Sequence, residues 1–173
     1  MNLHLLRSTS SIAIYYDSWN NWLFADWHGE LTLPAVQVAC LELGRCVLGR
    51  PYARVLNSNV QVTTTQWEVA GWLAQEFLPF LTLAGVEKFA WVCAPGLRGR
   101  NIVQTIINRL PLLQLAIFDE LDEAVSWLQQ NPGEYATGCG LPLRPTESQS
   151  KLARAVQQLE LLLRTKAAAS SGA

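Results

Sequence analysis

Asn57, Ser58 and Asn59 stand in the run LNSNVQVTTTQWE, between a strand-like stretch and a helix-like one. A hydroxyl flanked by two amides can meet a small anion or a partner loop. α/β proteins commonly bind ligands at the C-terminal ends of parallel strands, where the pattern places these residues. The same residue types also build turns, bonding to their own backbone. Both readings stand. Thr65-Gln66-Trp67-Glu68 fits a capping box, the Thr hydroxyl accepting from the N3 amide while Glu68 reaches back to the cap.

Cys93-Ala94-Pro95-Gly96-Leu97-Arg98-Gly99-Arg100-Asn101 is a second candidate. It follows a buried strand and opens a helix, so free amides, the helix dipole, Arg98 and Arg100 can converge on an anion. It lacks the G-K-[ST] ending of a P-loop and the glycine spacing of a dinucleotide fingerprint. Cys93 is either acidified there or a small core residue. Asp26 and His28 share one side of an extended strand, but no G-x-S-x-G elbow accompanies them. Carboxylates cluster only at 119–123, at a helix start, where the dipole favours them.

The totals narrow the function classes. The chain has 173 residues, 50% hydrophobic and 16% charged, enough for one packed domain with an appendage. A net charge of -1 argues against a nucleic-acid partner, which calls for a basic patch. No stretch reaches the ~18 consecutive apolar residues of a membrane span, and MNLHLLRSTSS lacks the apolar region of a signal peptide. The expected location is the cytoplasm. Four cysteines without a C-x-x-C pair, beside two histidines, give no disulfide framework and no metal site. No cofactor is expected. Seven tryptophans leave aromatic area for an interface.

The elements that must carry these residues alternate. Residues 1–10 form an N-terminal arm. SIAIYYD (11–17) and WLFADW (22–27) flank SWNN and read as a β-hairpin. A helix follows over 32–49, capped by Thr32 with Pro34 in its first turn. ARVLN (53–57) is a short strand, and a long helix runs from Thr65 to Gly85 with a kink at Pro79. KFAWVC (88–93) and QLAIF (114–118) are buried strands, separated by a helix with the stripe Val103, Ile106, Ile107 and Leu110. DELDEAVSWLQQ is the next helix. Residues 131–150 read as a linker and 151–168 as an amphipathic helix, ahead of a frayed tail at 169–173. The expected fold is α/β, a hairpin followed by βα units in a mostly parallel sheet, plus the extra C-terminal helix.

Three stretches, YYDSWNNWLFADWHG, TTTQWEVAGWLAQEFLPFLTLAGVEKFAWVCAP and IFDELDEAVSWL, together with this order of elements, resemble the SpoIIAA-like branch of the STAS superfamily. The resemblance covers residues 12–130 within the domain at 11–130. It implies a sheet with helices wound beside it and an intracellular, regulatory or protein-interaction role. In partner-switching members a serine in an Asp-Ser-Gly-type motif accepts a phosphate. Ser58 stands at that place without the Asp before it or the Gly after it, so no phosphate switch is expected.

The reading is therefore a non-catalytic interaction module with a protein partner, forming a homodimer. Trp72 falls on the polar arc of its helix with Glu68, Gln75, Pro79 and Thr82, which marks it for an interface. Leu152, Val156, Leu159 and Leu163 recur at a coiled-coil spacing and need a partner surface, since two heptads alone are marginal in water. The alternative is a small-ligand or anion-binding domain, or a weak enzyme, using Asn57, Ser58, Asn59, Cys93, Arg98 and Arg100.

Overall fold

The computed structural model of the protein describes residues 1–93, 113–130 and 146–171. Strand β1 (Leu3–Ser8) precedes the hairpin β2 (Ile12–Asp17) and β3 (Trp22–Leu31), which leads to α1 (Leu33–Gly49). β4 (Arg54–Thr65) is followed by α2 (Trp67–Trp72), a π-helical turn (Leu73–Phe77) and α3 (Leu78–Leu83). Then come β5 (Lys88–Val92), β6 (Gln114–Phe118), α4 (Leu121–Gln130) and α5 (Thr146–Ser171). The six strands lie in sequence order; β1, β2 and β3 are antiparallel, and β3 to β6 are parallel. This is the α/β architecture the alternation implied. The expected helix with the stripe Val103, Ile106, Ile107 and Leu110 lies outside the described residues, as do Arg98, Arg100 and positions 131–145 of the expected linker.

The pleat sorts each strand between two apolar layers. Leu23, Ala25 and Trp27 of β3, Val55 of β4, and Phe89 and Trp91 of β5 pack with α1 and with Val69, Phe77, Leu78 and Leu81. On the other face Trp22, Phe24, Leu56, Ala90 and Val92 pack with Ala124 and Leu128 of α4. Thr32 caps α1, its hydroxyl accepting from Ala35 N at 3.4 Å, with Pro34 in the first turn. Gly85 (φ +85°) ends α3, where the left-handed backbone lets Val86 N reach Leu81 O at 3.1 Å.

Five expectations change. The N-terminal arm contains strand β1, which pairs with β2 from Leu3↔Asp17 to Ser8↔Ala13. β4 is 12 residues long, so residues 58–65 are strand and not a loop. The β-branched run Val60, Val62, Thr63, Thr64 and Thr65 favours extended backbone, and β3 continues to Leu31 to pair with it. The capping box goes with that loop. Thr65 ends the strand, Gln66 occupies the N-cap without a side-chain cap bond, and its Oε1 accepts instead from Leu33 N at 3.1 Å. In place of a simple kink at Pro79, the helix widens into the π turn, with Leu78 N bonding to Leu73 O. Pro79 then sits in the first turn of α3, where its missing N–H removes little. The last helix also begins at Thr146, ahead of the expected residue 151, and Glu147 pairs with Lys151 at 2.6 Å in its first turns.

Relative to β3, β4 carries two single-residue bulges. One falls between the pairs Asp26↔Ser58 and His28↔Gln61, the other between Gly29↔Val62 and Glu30↔Thr64. β5 pairs with β4 only from Arg54 to Ser58. The outer halves of β3 and β4 therefore project past β5 as a two-stranded ribbon. α1 and α2 both start from its end, where Gln66 N donates to Leu31 O at 3.0 Å.

Candidate functional site

Because Asn57 and Ser58 are neighbours within a strand, they point to opposite faces, and the expected single rim is split in two. On the α2 face, Trp27 Nε1 donates to Asn57 Oδ1 at 2.8 Å, and Asn57 Nδ2 donates to Asn59 Oδ1 at 3.2 Å. In the other orientation of the Asn59 amide the bond from Asn57 Nδ2 is given up, and the Asn59 oxygen instead accepts from Trp91 Nε1 at 3.0 Å. Register sets this cluster, since Ala25 and Trp91 flank Asn57 on β3 and β5. Trp27 and Trp91 stand on those two strands, each with an indole N–H that needs an acceptor once buried.

These residues line a mostly apolar cavity of about 70 Å³ beneath Val69, Leu73 and Phe77. Cys93 lines it too, buried at the end of β5, with its backbone N–H donating to Phe118 O at 2.9 Å. Structure thus brings Asn57, Asn59 and Cys93 together. The burial of Cys40 pushes its thiol well above the ordinary range, and burial also raises Cys46. Neither is primed as a thiolate nucleophile.

On the α4 face, Ser58 is 3% exposed, packed between Asp26 of β3 and Val92 of β5. Burial raises the Asp26 carboxyl above its usual range, while the hydrogen bond from Ser58 and the charge of His28 pull the other way. Gln61 Nε2 donates to Asp26 Oδ2 at 3.3 Å. Asp26, His28 and Ser58 do share a face, but Ser58 bonds directly to Asp26. A nucleophilic serine would instead pass its proton to the histidine, with the carboxylate behind the ring. The set accounts for a half-buried carboxyl; it does not build a base–nucleophile pair. No group of three metal-ligating side chains occurs among the described residues, and none of their helices is long and apolar enough to cross a membrane.

The residues expected at an interface meet within the chain. Trp72 is half-buried and stacks on Phe77, with ring centroids 6.1 Å apart and 14° between planes. The π turn brings these side chains together five residues apart. Leu152 is fully buried and Val156 nearly so, while Leu159 and Leu163 are half-buried. Trp72, Val156, Leu159 and Leu163 line one cleft, so Trp72 faces the chain's own last helix across that space. Arg45 of α1 ties that helix down through Glu160 at 3.2 Å.

Sequence reasoning missed an open apolar surface on β1. Leu3, Leu5 and Leu6 are 38%, 59% and 41% exposed. The bulge at Leu6 shifts the register so that Leu5 lies opposite Tyr15 while Arg7 turns to the α1 face and pairs with Glu42 at 2.9 Å. The signal available was LHLL itself, three leucines in four residues with no helical stripe around them.

No family model matches the chain, and no curated protein matches it. Among solved structures, it is similar to an uncharacterised protein of the DUF3478 family with a SpoIIAA-like fold, from Shewanella loihica PV-4. Identity is 14% and the TM-score 0.44, over 73% of this chain and 91% of the other. The likeness concerns fold alone.

Proposed function

We propose that this protein is a non-catalytic interaction module that self-associates by pairing β1 with β1 of a second copy. The observation that supports this is the free sheet edge. All six residues of β1 are exposed, and among the described residues the strand is hydrogen-bonded to β2 on one side only. Natural edges are usually short, charged or covered; this one carries three exposed leucines. Antiparallel pairing about a two-fold axis at His4 sets Leu3 opposite Leu5 of the other copy, twice over. The bulge at Leu6 ends the pairing there, which limits it to a short, specific ladder.

A small-ligand role for the strand ends has less support. The cavity at Asn57, Asn59 and Cys93 has about 70 Å³, against roughly 300–1,000 Å³ for small-molecule sites. Light scattering coupled to size exclusion tests the proposal. The wild type should run as a dimer at tens of micromolar, and Leu3→Lys with Leu5→Lys should run as a monomer with unchanged melting temperature. A monomeric wild type, or a dimer that survives both substitutions, overturns it.

A further inference from the structure

We propose that the cleft between α1, the π turn with α3, and α5 binds a small hydrophobic amine in its cationic form. The cleft has about 350 Å³, inside the range for small-molecule sites and well above the strand-end cavity. Cys40 and Gly44 of α1 make its floor, and the missing side chain of Gly44 lets Phe80 and Val156 approach, each 3.5 Å from where a Cβ would stand. One wall is aromatic. Trp72 stacks on Phe77 and Phe77 on Phe80, the second pair with centroids 5.8 Å apart. Val156, Leu159 and Leu163 of α5 form the opposite wall.

Charge selects among apolar ligands. Glu76 is the one charged side chain lining the cleft among the described residues; no lysine, arginine or histidine joins it. Glu42, Glu147 and Glu160 all hold ion pairs, whereas Glu76 has no hydrogen-bond or ion-pair partner among the described residues. Trp72 and Phe80, both half-buried, line the cleft with it, and aromatic rings of this kind attract a cation. An ammonium group therefore gains from Glu76 and the rings together, while a carboxylate of the same length is repelled. The π turn is a second pointer. Such turns are rare, they concentrate at functional sites, and this one carries both Glu76 and Phe77.

Calorimetric titration of the full chain with n-octylammonium, below its micelle concentration, tests the site against n-octanoate and 1-octanol. Saturable one-to-one binding of the amine is expected, roughly tenfold tighter than the carboxylate, as a partly solvated charge contact supplies. Glu76→Gln, a surface change that leaves the fold intact, should remove that preference and leave 1-octanol binding unchanged. Leu159→Trp should fill the cleft and abolish binding of all three, with its melting temperature showing that it folds. Absence of amine binding, equal binding of amine and carboxylate, a preference that survives Glu76→Gln, or amine binding by folded Leu159→Trp each overturns the proposal.

Discussion

Trp27 on β3 and Asn57 on β4 are joined side chain to side chain, the indole N–H donating to the amide oxygen at 2.8 Å with both residues buried. Removing the acceptor alone strands a buried donor, which costs roughly 1–3 kcal/mol. Asn57→Leu should therefore lower the melting temperature by several degrees. Trp27→Phe added to that variant should recover part of the loss, and a double-mutant cycle from urea unfolding measures it.

Two aspartates, Asp17 buried and Asp26 half-buried, should give opposite pH signatures. Burial pushes the Asp17 carboxyl up, but the bonds from Asn20 and from the backbone of Asn2, Trp19 and Asn20 outweigh it and hold it below its usual value. Its stabilisation is present above the unfolded-state pKa, roughly 3.9, and fades as pH falls through the lower folded value. Asp17→Asn should cost stability at pH 7 and progressively less below pH 4. Asp26 is raised, so stability falls as pH rises from its unfolded-state value through the higher folded one, and acid relieves the cost. Asp26→Asn should stabilise at pH 7, with an advantage that shrinks toward pH 4. Denaturant midpoints at a series of pH values check both signs.

Two leucines of α5 should separate sharply. Leu152 is fully buried against the core and Leu161 is 63% exposed. Leu152→Ala should cost about 2–5 kcal/mol, while Leu161→Ala should stay within about 0.5 kcal/mol. Equal small effects in denaturant unfolding would show that the helix does not dock.

Ser58→Asp tests the phosphate switch directly. The new carboxylate would stand buried beside Asp26, unpaired and next to a like charge. The variant should lose several degrees of melting temperature at neutral pH, where a regulatory mimic on an open loop would lose none. Mass spectrometry of protein from its native host should find Ser58 unmodified.

The alternation of β and α elements was legible because β2, β5 and β6 are continuous apolar or aromatic runs, and because Thr32, Pro34 and Gly85 punctuate the helices. β1 was not legible, since an edge strand with every side chain exposed leaves no burial period to read. The length of β4 was misread for a different reason. Asn57, Ser58 and Asn59 carry turn propensity, and only pairing with the far half of β3 overrides it. The threonine run was the local hint. Of the candidate site, Asn57, Asn59 and Cys93 were named from position at a strand end. Their partners Trp27 and Trp91 come from strand register, which no local pattern states. The surroundings of Trp72 depended on where α5 docks, a contact some eighty residues away in sequence.

The two bulges in β4 bear on how the chain tolerates changes of length. One inserted residue ordinarily inverts the facing of every side chain beyond it. A bulge takes up the odd residue locally, and two in succession restore the original alternation. The outer ribbon can therefore be lengthened or shortened in single steps without exchanging its inner and outer faces. Any such step would carry α1 and α2 along together, because Gln66 fastens both helix starts to the same point.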